Sequence, residues 1–326
     1  MFIFFKEIGL FYGNMLHFRP KKNKEDFLKI VKNIDRGILY MLLASLSFAF
    51  MGGFAKVVSR HLTGVEITFF RNIFGVALIG FSIYKFPLKQ KGGKPLLLLF
   101  RGLMGFLALL AYFYIIAYIP LGEAVTYNKT SPIFVAIFAY IFLGERLNSI
   151  SIFAIILGFI GIVLISKPFG GEFNIYDILG IFSGIGAALA YTSIRELRKY
   201  YDTRAIVMSF MLVGTIAPLI LMLIAPYINA PKELEFMFSE FIVPTKIEWF
   251  YITMMGLSAT LSQYLMTKAY EYTKAGIVGT ISYTNIVFAI IIGTILGDSL
   301  PSISTILGII LVITSGLLVA FSKENR

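Results

Sequence analysis

Two basic side chains lie deep inside long apolar segments, and they are the residues most able to do chemistry. Lys129 lies in the polar run Thr126–Ser131, near the middle of the apolar segment Leu121–Leu147, and Arg71 lies well inside the apolar segment 64–84. A lysine at the centre of an apolar helix costs about 2.5–3.5 kcal/mol to insert into a bilayer, so such residues usually face a cavity or a partner. The pair predicts a positive cavity that binds a carboxylate or phosphate, with arginine as a forked donor and lysine as a point charge.

The polar run also predicts an irregular backbone. Pro132 cannot hydrogen-bond back to the carbonyl of Asn128, so it leaves that acceptor free and kinks the helix. Irregular backbone at membrane depth is tolerated where it lines a cavity. Tyr127, Asn128 and Lys129 are therefore predicted to contact a substrate.

Two acidic residues leave the interpretation of these cations open. Glu66 and Glu123 lie near the ends of the second and fourth apolar segments. Either carboxylate could pair with Arg71 or Lys129 and leave a neutral cavity. Alternatively, either could exchange a proton between the outside and the cavity and so couple transport to a proton gradient.

Three further cations lie nearer the ends of their segments. Lys56 ends the first segment, Arg101 lies near the start of the third, and Lys268 lies near the end of the eighth. Long basic side chains at such depths can extend their charge to the membrane surface. We therefore expect these three residues to be interfacial.

The composition is that of a polytopic membrane protein. The chain has 326 residues, of which 58% are hydrophobic and 14% charged, whereas a soluble domain carries about 25% charge. A membrane helix needs about 20 apolar residues. This length predicts an all-α protein with ten transmembrane helices, at about 37–57, 64–84, 96–118, 121–143, 148–166, 176–196, 204–226, 248–271, 276–296 and 302–321.

The positive charges give these segments an orientation. With ten crossings, most lysines and arginines fall on the side that holds both termini. The other side holds only Arg60, Lys167, Lys232 and Lys246. Cytoplasmic loops carry an excess of lysine and arginine, so both termini are predicted to be cytoplasmic, in a cell (inner) membrane. Residues 1–36 are predicted to form either a short amphipathic helix on the anionic leaflet or a disordered basic tail.

The two halves of the chain repeat each other. The sequence GERLNSIS at Gly144–Ser151 returns as GDSLPSIS at Gly297–Ser304, and the polar run Thr126–Ser131 returns as Thr280–Asn285. Each half, 37–166 and 176–322, contains five segments. An odd number makes the second half enter from the opposite face, so the halves are predicted to form an inverted repeat with a site near the midplane.

The second polar run adds Ser282, Tyr283 and Asn285 to the predicted binding residues. Tyrosines in both runs could stack on a planar ligand. The spacing of Gly180 and Gly184 predicts close helix packing in the sixth segment.

Several function classes are excluded or disfavoured. The absence of cysteine excludes disulfides and thiol chemistry, and His17 and His61 lie outside the apolar segments, so no metal site is predicted. The net charge of +11 is confined to particular loops, so the orientation of the chain in the membrane explains this charge better than binding to nucleic acid does. We find no catalytic cluster and no nucleotide-binding GxxxxGK[ST] motif, so neither an enzyme, a cofactor nor ATP-driven transport is predicted.

Several stretches of the chain are typical of one transporter family: ITFFRNIFG (Ile67–Gly75), FRGLMGFLALLAYFYIIAYIPLGEA (Phe100–Ala124), NKTSPIFVAIFAYIFLGERL (Asn128–Leu147), LSQYLMTKAY (Leu261–Tyr270) and GIVGTISYTNIVFAIIIGTILGDSL (Gly276–Leu300). The most specific element is the proline followed by LGE that closes the fourth segment. On these residues the chain resembles the EamA family of the drug/metabolite transporter superfamily over about residues 37–322.

The resemblance implies a ten-helix permease made of two five-helix repeats. Family members carry small metabolites, including amino acids and S-adenosylmethionine, and organic anions are compatible with the basic cavity. The second repeat has Asn285 and Asp298 where the family often has proline and glutamate, so the ninth helix is expected to be less kinked than the fourth. For the oligomeric state, monomer and dimer both stay open.

Taken together, the sequence predicts a secondary transporter that moves a small molecule across a lipid bilayer by alternating access. The alternative is a lipid or polyprenyl-lipid translocase of the same fold, because it fits the same architecture and the same basic cavity.

Overall fold

The computed structural model describes residues 36–88, 92–131, 134, 138, 141–142, 149–166, 175–228, 232–273, 275–299 and 302–324. Most of the predicted N-terminal tail, Pro132 with its predicted kink, and Glu145 lie outside these residues. Within the described residues all regular structure is helical. Six stretches of them are long and apolar enough to cross a membrane, so the protein is a multi-pass membrane protein.

The described helices follow the predicted apolar segments closely. Two short 3₁₀ helices, Ala225–Tyr227 and Lys232–Met237, occupy the long connection before the eighth segment. The α-helices are Arg36–Val58 (α1), Gly64–Lys85 (α2), Pro95–Ile116 (α3), Leu121–Asn128 (α4), Ser149–Ser166 (α5), Ile175–Leu197 (α6), Thr203–Ile224 (α7), Lys246–Tyr272 (α8), Ala275–Ile281 (α9), Thr284–Ile295 (α10) and Ile303–Glu324 (α11).

The fourth segment is broken at its polar run. Helix α4 ends at Asn128, Lys129 and Thr130 form a turn, and helical backbone resumes at Ser131. The hydroxyl of Thr130 donates a hydrogen bond to the carbonyl of Tyr127 at 2.8 Å. A side-chain hydroxyl thus satisfies a carbonyl at the interruption, as a bilayer requires.

The ninth segment is broken as well, although it has Asn285 where the family often has proline. A weaker kink in the ninth helix than in the fourth stays a prediction. Helix α9 ends at Ile281 and α10 begins at Thr284. The hydroxyl of Ser282 donates to the carbonyl of Gly279 at 2.6 Å, and that of Thr284 donates to Ile281 at 2.8 Å. These hydroxyls occupy backbone carbonyls at the turn, which explains why the break needs no proline.

The helices pair across the two halves of the chain. Helix α1 packs along α8, α3 along α6, α2 along α7, and α5 along α11. The largest apolar core contains Ile67, Phe113, Leu121, Ile252 and Ile286, so it joins residues from both halves.

Glycines bring α6 close to the break after α4, as their spacing predicted. A Cβ at Gly184 would lie 1.9 Å from Thr130 Oγ1 and 2.8 Å from the carbonyl oxygen of Tyr127. A Cβ at Gly180 would lie 2.5 Å from the ring of Tyr127. Only glycine allows this approach at either position.

One carboxylate joins three segments at the end of the bundle where α1 ends. Asp298 follows α10 and forms an ion pair with Lys56 on α1 through one oxygen. Its other oxygen accepts a hydrogen bond at 3.0 Å from the backbone N–H of Leu121, the first residue of α4. We call this contact the Lys56–Asp298 joint. The ion pair gives Lys56 a partner at this end of the bundle, and its interfacial position stays a prediction.

At the opposite end of the bundle a charged cluster connects α6 and α8. Arg198 Nη2 lies 2.8 Å from Glu271, which also pairs with Lys268 at 2.8 Å. These residues line a cavity of about 720 Å³. Nearby, hydrogen bonds from Lys199 and Lys94 hold the pKa of Glu196 below its usual value.

Replacing Asp298 with Asn should destabilise the protein. The change removes the charge that pairs with Lys56, whose side chain is only 19% exposed, and weakens the acceptor at the start of α4. We expect the free energy of unfolding to fall by about 1–3 kcal/mol, measured as a lower thermal unfolding temperature in detergent. Lys199→Met is the control, because its 65% exposed side chain should contribute little to stability. Equal unfolding temperatures for the two variants would contradict a structural role for the joint.

Replacing Gly184 with Ala should displace the break from α6. Rotating Thr130 would relieve one clash, but the backbone oxygen of Tyr127 would remain too close to the new methyl group. Overpacking of this kind costs about 1–3 kcal/mol. Gly80→Ala is the control, since its Cβ would meet only the flexible end of Met208, at 3.3 Å. The same thermal measurement compares them, and a Gly184→Ala protein as stable as the control refutes the prediction.

Candidate functional site

A small cavity lies beside the break after α4. It has a volume of about 50 Å³. Asn128 and Lys129 line it from the break, Asn285 from α10, Arg101 from α3, and Gln263 from α8. Both interrupted segments therefore contribute to one cavity. This convergence brings together Asn128, Lys129 and Asn285 of the predicted binding residues.

The other residues of the two polar runs lie outside the lining of this cavity. The hydroxyl of Tyr127 hydrogen-bonds to Asp177 at the start of α6. The hydroxyl of Ser282 donates a hydrogen bond to the carbonyl of Gly279, and Tyr283 is buried in the turn before α10. Substrate contact by these three predicted residues stays a prediction.

Lys129 is buried with no counter-charge among the described residues. The residue is only 4% exposed, and its ammonium lies 5.7 Å from the ring centre of Phe48. It forms no hydrogen bond or ion pair with any residue that the structure describes. A ring face stabilises a cation by about 0.5–2 kcal/mol, less than the cost of placing a lysine at membrane depth.

Two buried arginines lie close to the same aromatic ring. The guanidinium carbons of Arg71 and Arg101 lie 4.9 Å and 4.6 Å from the ring centre of Phe210, which lines the cavity. Arg71 Nη1 donates to Asn72 Oδ1 at 2.5 Å, and Arg101 Nη2 approaches Gln263 Oε1 at 3.4 Å. Arg71 Nε and Nη2 and Arg101 Nε have no hydrogen-bond partner in the described part of the chain.

The two guanidinium groups repel each other. They share one ring, so they lie no more than about 10 Å apart, and an effective dielectric constant of 20 gives a repulsion of roughly 2 kcal/mol. No carboxylate among the described residues pairs with Arg71, Arg101 or Lys129. The internal pairing that would leave a neutral cavity is thus not found there, and the site is suited to an anion.

Glu66 is occupied by the backbone. One carboxylate oxygen accepts a hydrogen bond from the N–H of Thr63 at 2.9 Å, and the other accepts from the N–H of Ile242 at 2.6 Å. Glu66 therefore closes a capping box at the start of α2 and fixes the segment before α8. A coupling role for Glu66 or Glu123 stays a prediction.

The expectation that Arg101 is interfacial was wrong, because its side chain is 1% exposed and lies in the cavity wall. The guanidinium runs along α3 over Gly105, where a Cβ would lie 2.5 Å from Arg101 Nη1. The arginine and the glycine are four residues apart, on the same face of the helix. This spacing was present in the sequence, whereas Gln263, Phe210 and Tyr191 carry no local signal that marks them as cavity residues.

The family model that matches this chain is described as the EamA-like transporter family. It matches residues 35–167 and 174–321, once in each half of the chain. These ranges include α1 to α5 and α6 to α11, apart from the last residues of α11.

Curated relatives of similar length are transporters. An uncharacterized transporter of Helicobacter pylori is 35% identical over 291 residues, which are 87% of this chain and 94% of the relative. The pseudopaline exporter CntI of Pseudomonas aeruginosa is 32% identical over 295 residues, 90% of this chain and 98% of the relative. The S-adenosylmethionine uptake transporter of Rickettsia bellii is 23% identical over 299 residues, 90% of this chain and 97% of the relative.

A solved crystal structure has the same fold. It superposes with a TM-score of 0.67 at 16% sequence identity, covering 89% of this chain and 98% of the other. Together with the helical fold and the family match in both halves, these relatives confirm the resemblance noted in the sequence. The chain belongs to the EamA-like transporter family.

Proposed function

We propose that this protein is an inner-membrane secondary transporter that moves a small metabolite with an anionic group by alternating access. The observation that carries the proposal is the cavity at the two broken helices. Its described lining includes Lys129 and Arg101, and none of that lining is Asp or Glu. Broken helices at a midplane site are a recurring feature of secondary transporters.

We also propose that the chain has ten crossings arranged as two inverted repeats, 37–166 and 176–322. A two-fold axis that relates the halves places α1 on α6 and α8 on α3. The contact of α1 with α8 then corresponds to the contact of α6 with α3, and both are present. The axis likewise exchanges the pair α1 with α9 for the pair α6 with α4, and again both pairs are in contact. The interruption of the fourth and ninth segments at corresponding positions supports the same relation.

In this proposal the Lys56–Asp298 joint closes one side of the pathway. The joint ties α1 and the start of α4 to Asp298, three residues after the end of α10, so these segments must separate for the cavity to reach that side. Discontinuous helices can hinge at their breaks while the rest of each bundle moves as a body. The positive-inside bias supports assigning the Lys56 end to the outside and both termini to the cytoplasm.

The names of the relatives leave substrate and direction open. One relative exports pseudopaline and another takes up S-adenosylmethionine. We therefore propose no direction from them. A lipid or polyprenyl-lipid translocase is the second candidate, because a basic cavity also suits a lipid phosphate.

Replacing Lys129 with Met should abolish transport without preventing membrane insertion. The change removes the buried charge that would bind the anionic group, while methionine keeps a similar apolar stem. Transport is measured in inside-out and right-side-out vesicles with labelled amino acids, nucleoside-type metabolites and organic anions, with and without a proton gradient.

Lys199→Met is the matched control, since that side chain is 65% exposed. Its transport should equal that of the parent protein. Normal transport by the Lys129→Met protein would refute the proposed site. If no soluble compound moves in the parent protein, a fluorescent-lipid flip assay tests the second candidate.

Single cysteines should report the proposed orientation, because the parent chain has none. A membrane-impermeant maleimide added to intact cells should label Arg60→Cys, which is exposed near the Lys56 end. The exposed Lys199→Cys at the other end should react only after permeabilisation. The reverse pattern would contradict the orientation, and labelling of both in intact cells would contradict an odd number of crossings between them.

A further inference from the structure

We propose that the cavity binds a substrate with at least two separate anionic groups, one held at Lys129 and the other at Arg101. The inference rests on the proposed transport function and narrows its substrate class. It assigns substrate binding to Arg101, a residue that the sequence placed at the membrane surface.

The first support is the direction of the Arg101 side chain. Gly105 leaves the space that Arg101 Nη1 occupies, so the guanidinium lies along α3 toward its middle and away from the helix start. Its Nε has no hydrogen-bond partner among the described residues, and its Nη2 has only the long contact with Gln263. A buried guanidinium with unused donors is a site for a carboxylate or phosphate.

The second support is that Arg101 and Lys129 line one cavity from different helices. Arg101 lies on α3, whereas Lys129 lies in the turn after α4. Asn128 and Asn285 also line the cavity. The amide of Asn128 donates a hydrogen bond to the hydroxyl of Ser183, and that of Asn285 donates to the carbonyl of Ser45. Among the described residues neither Lys129 nor Arg101 has an acidic partner, so two anionic groups can each neutralise one cation of this cavity.

The third support is the charge that lies behind the cavity wall. Arg71 is fully buried outside the lining, and its guanidinium lies over the ring of Phe210, a lining residue that Arg101 also contacts. It adds positive potential without lining the cavity, and we assign it the part of a positioning residue. Two cations line the cavity, Arg71 lies behind its wall, and the described lining has no acidic group. A single negative charge therefore leaves more than one of these three buried cations uncompensated.

The test removes one acidic group from the substrate and, separately, the charge of Arg101 from the protein, and compares the effects on transport. Vesicles are supplied with the diacids succinate, glutarate and glutamate, with citrate, with a sugar bisphosphate, and with analogues in which one acid of each diacid is an amide. The cationic S-adenosylmethionine and neutral amino acids complete the set. We expect transport of a multiply anionic compound, with kcat/KM about tenfold to a hundredfold lower for its analogue with one acid fewer.

Arg101→Gln should remove this discrimination. In that variant the multiply anionic compound and its reduced analogue should be transported at similar kcat/KM values, whereas Lys199→Gln should discriminate as the parent protein does. Arg101→Lys, which keeps the charge, should restore part of the preference. A merely structural role of Arg101 would lower both rates together and leave their ratio unchanged, and that result overturns the proposal.

Other outcomes separate this inference from the proposed function. Transport that is selective for a cationic, neutral or singly anionic compound supports the transporter and overturns the two-anion substrate. If nothing in the set is transported, the purified protein is heated with each compound. Stabilisation by a multiply anionic compound, lost in Arg101→Gln, supports the two-anion site, and an unfolding temperature that no compound changes overturns it.

Discussion

A positive charge inside a hydrocarbon layer must be met by a counter-charge, a ring face, water or a bound anion. Lys129, Arg71 and Arg101 have ring faces but no acidic partner among the described residues. The surrounding structure makes that arrangement tenable. Two helices stop at the depth of the charges, an asparagine from each break lines the cavity, and glycines on α3 and α6 give the side chains room.

The same constraint explains how the backbone can be interrupted. At the breaks, the hydroxyls of Thr130, Ser282 and Thr284 donate hydrogen bonds to backbone carbonyls, and the carbonyl of Tyr127 also accepts from the N–H of Thr130. Proline is one way to break a helix, but serine and threonine can satisfy a turn once the chain has made it. The two breaks therefore correspond in position although their sequences differ.

The sequence predicted the helices well because apolar length and flanking charge carry that information locally. The ends of α1, α2 and α3 lie within two residues of the predicted bounds. Depth was predicted less well. Arg101 was expected at the membrane surface because it lies near the start of its helix. Distance from the helix start does not show that Gly105 leaves space for the guanidinium beside the helix. The partners of Asp298 and Glu66 were missed for a similar reason, since each contact joins residues distant in the chain.

The Lys56–Asp298 joint bears on the apparent affinity of the same site for substrate on the two sides of the membrane. A carrier that spends most of its time closed on one side offers its site there for only a small fraction of the time. The apparent dissociation constant on that side is the intrinsic constant divided by that fraction. A single carboxylate outside the cavity can therefore give the protein unequal apparent affinities on its two faces, even though both face the same set of binding residues.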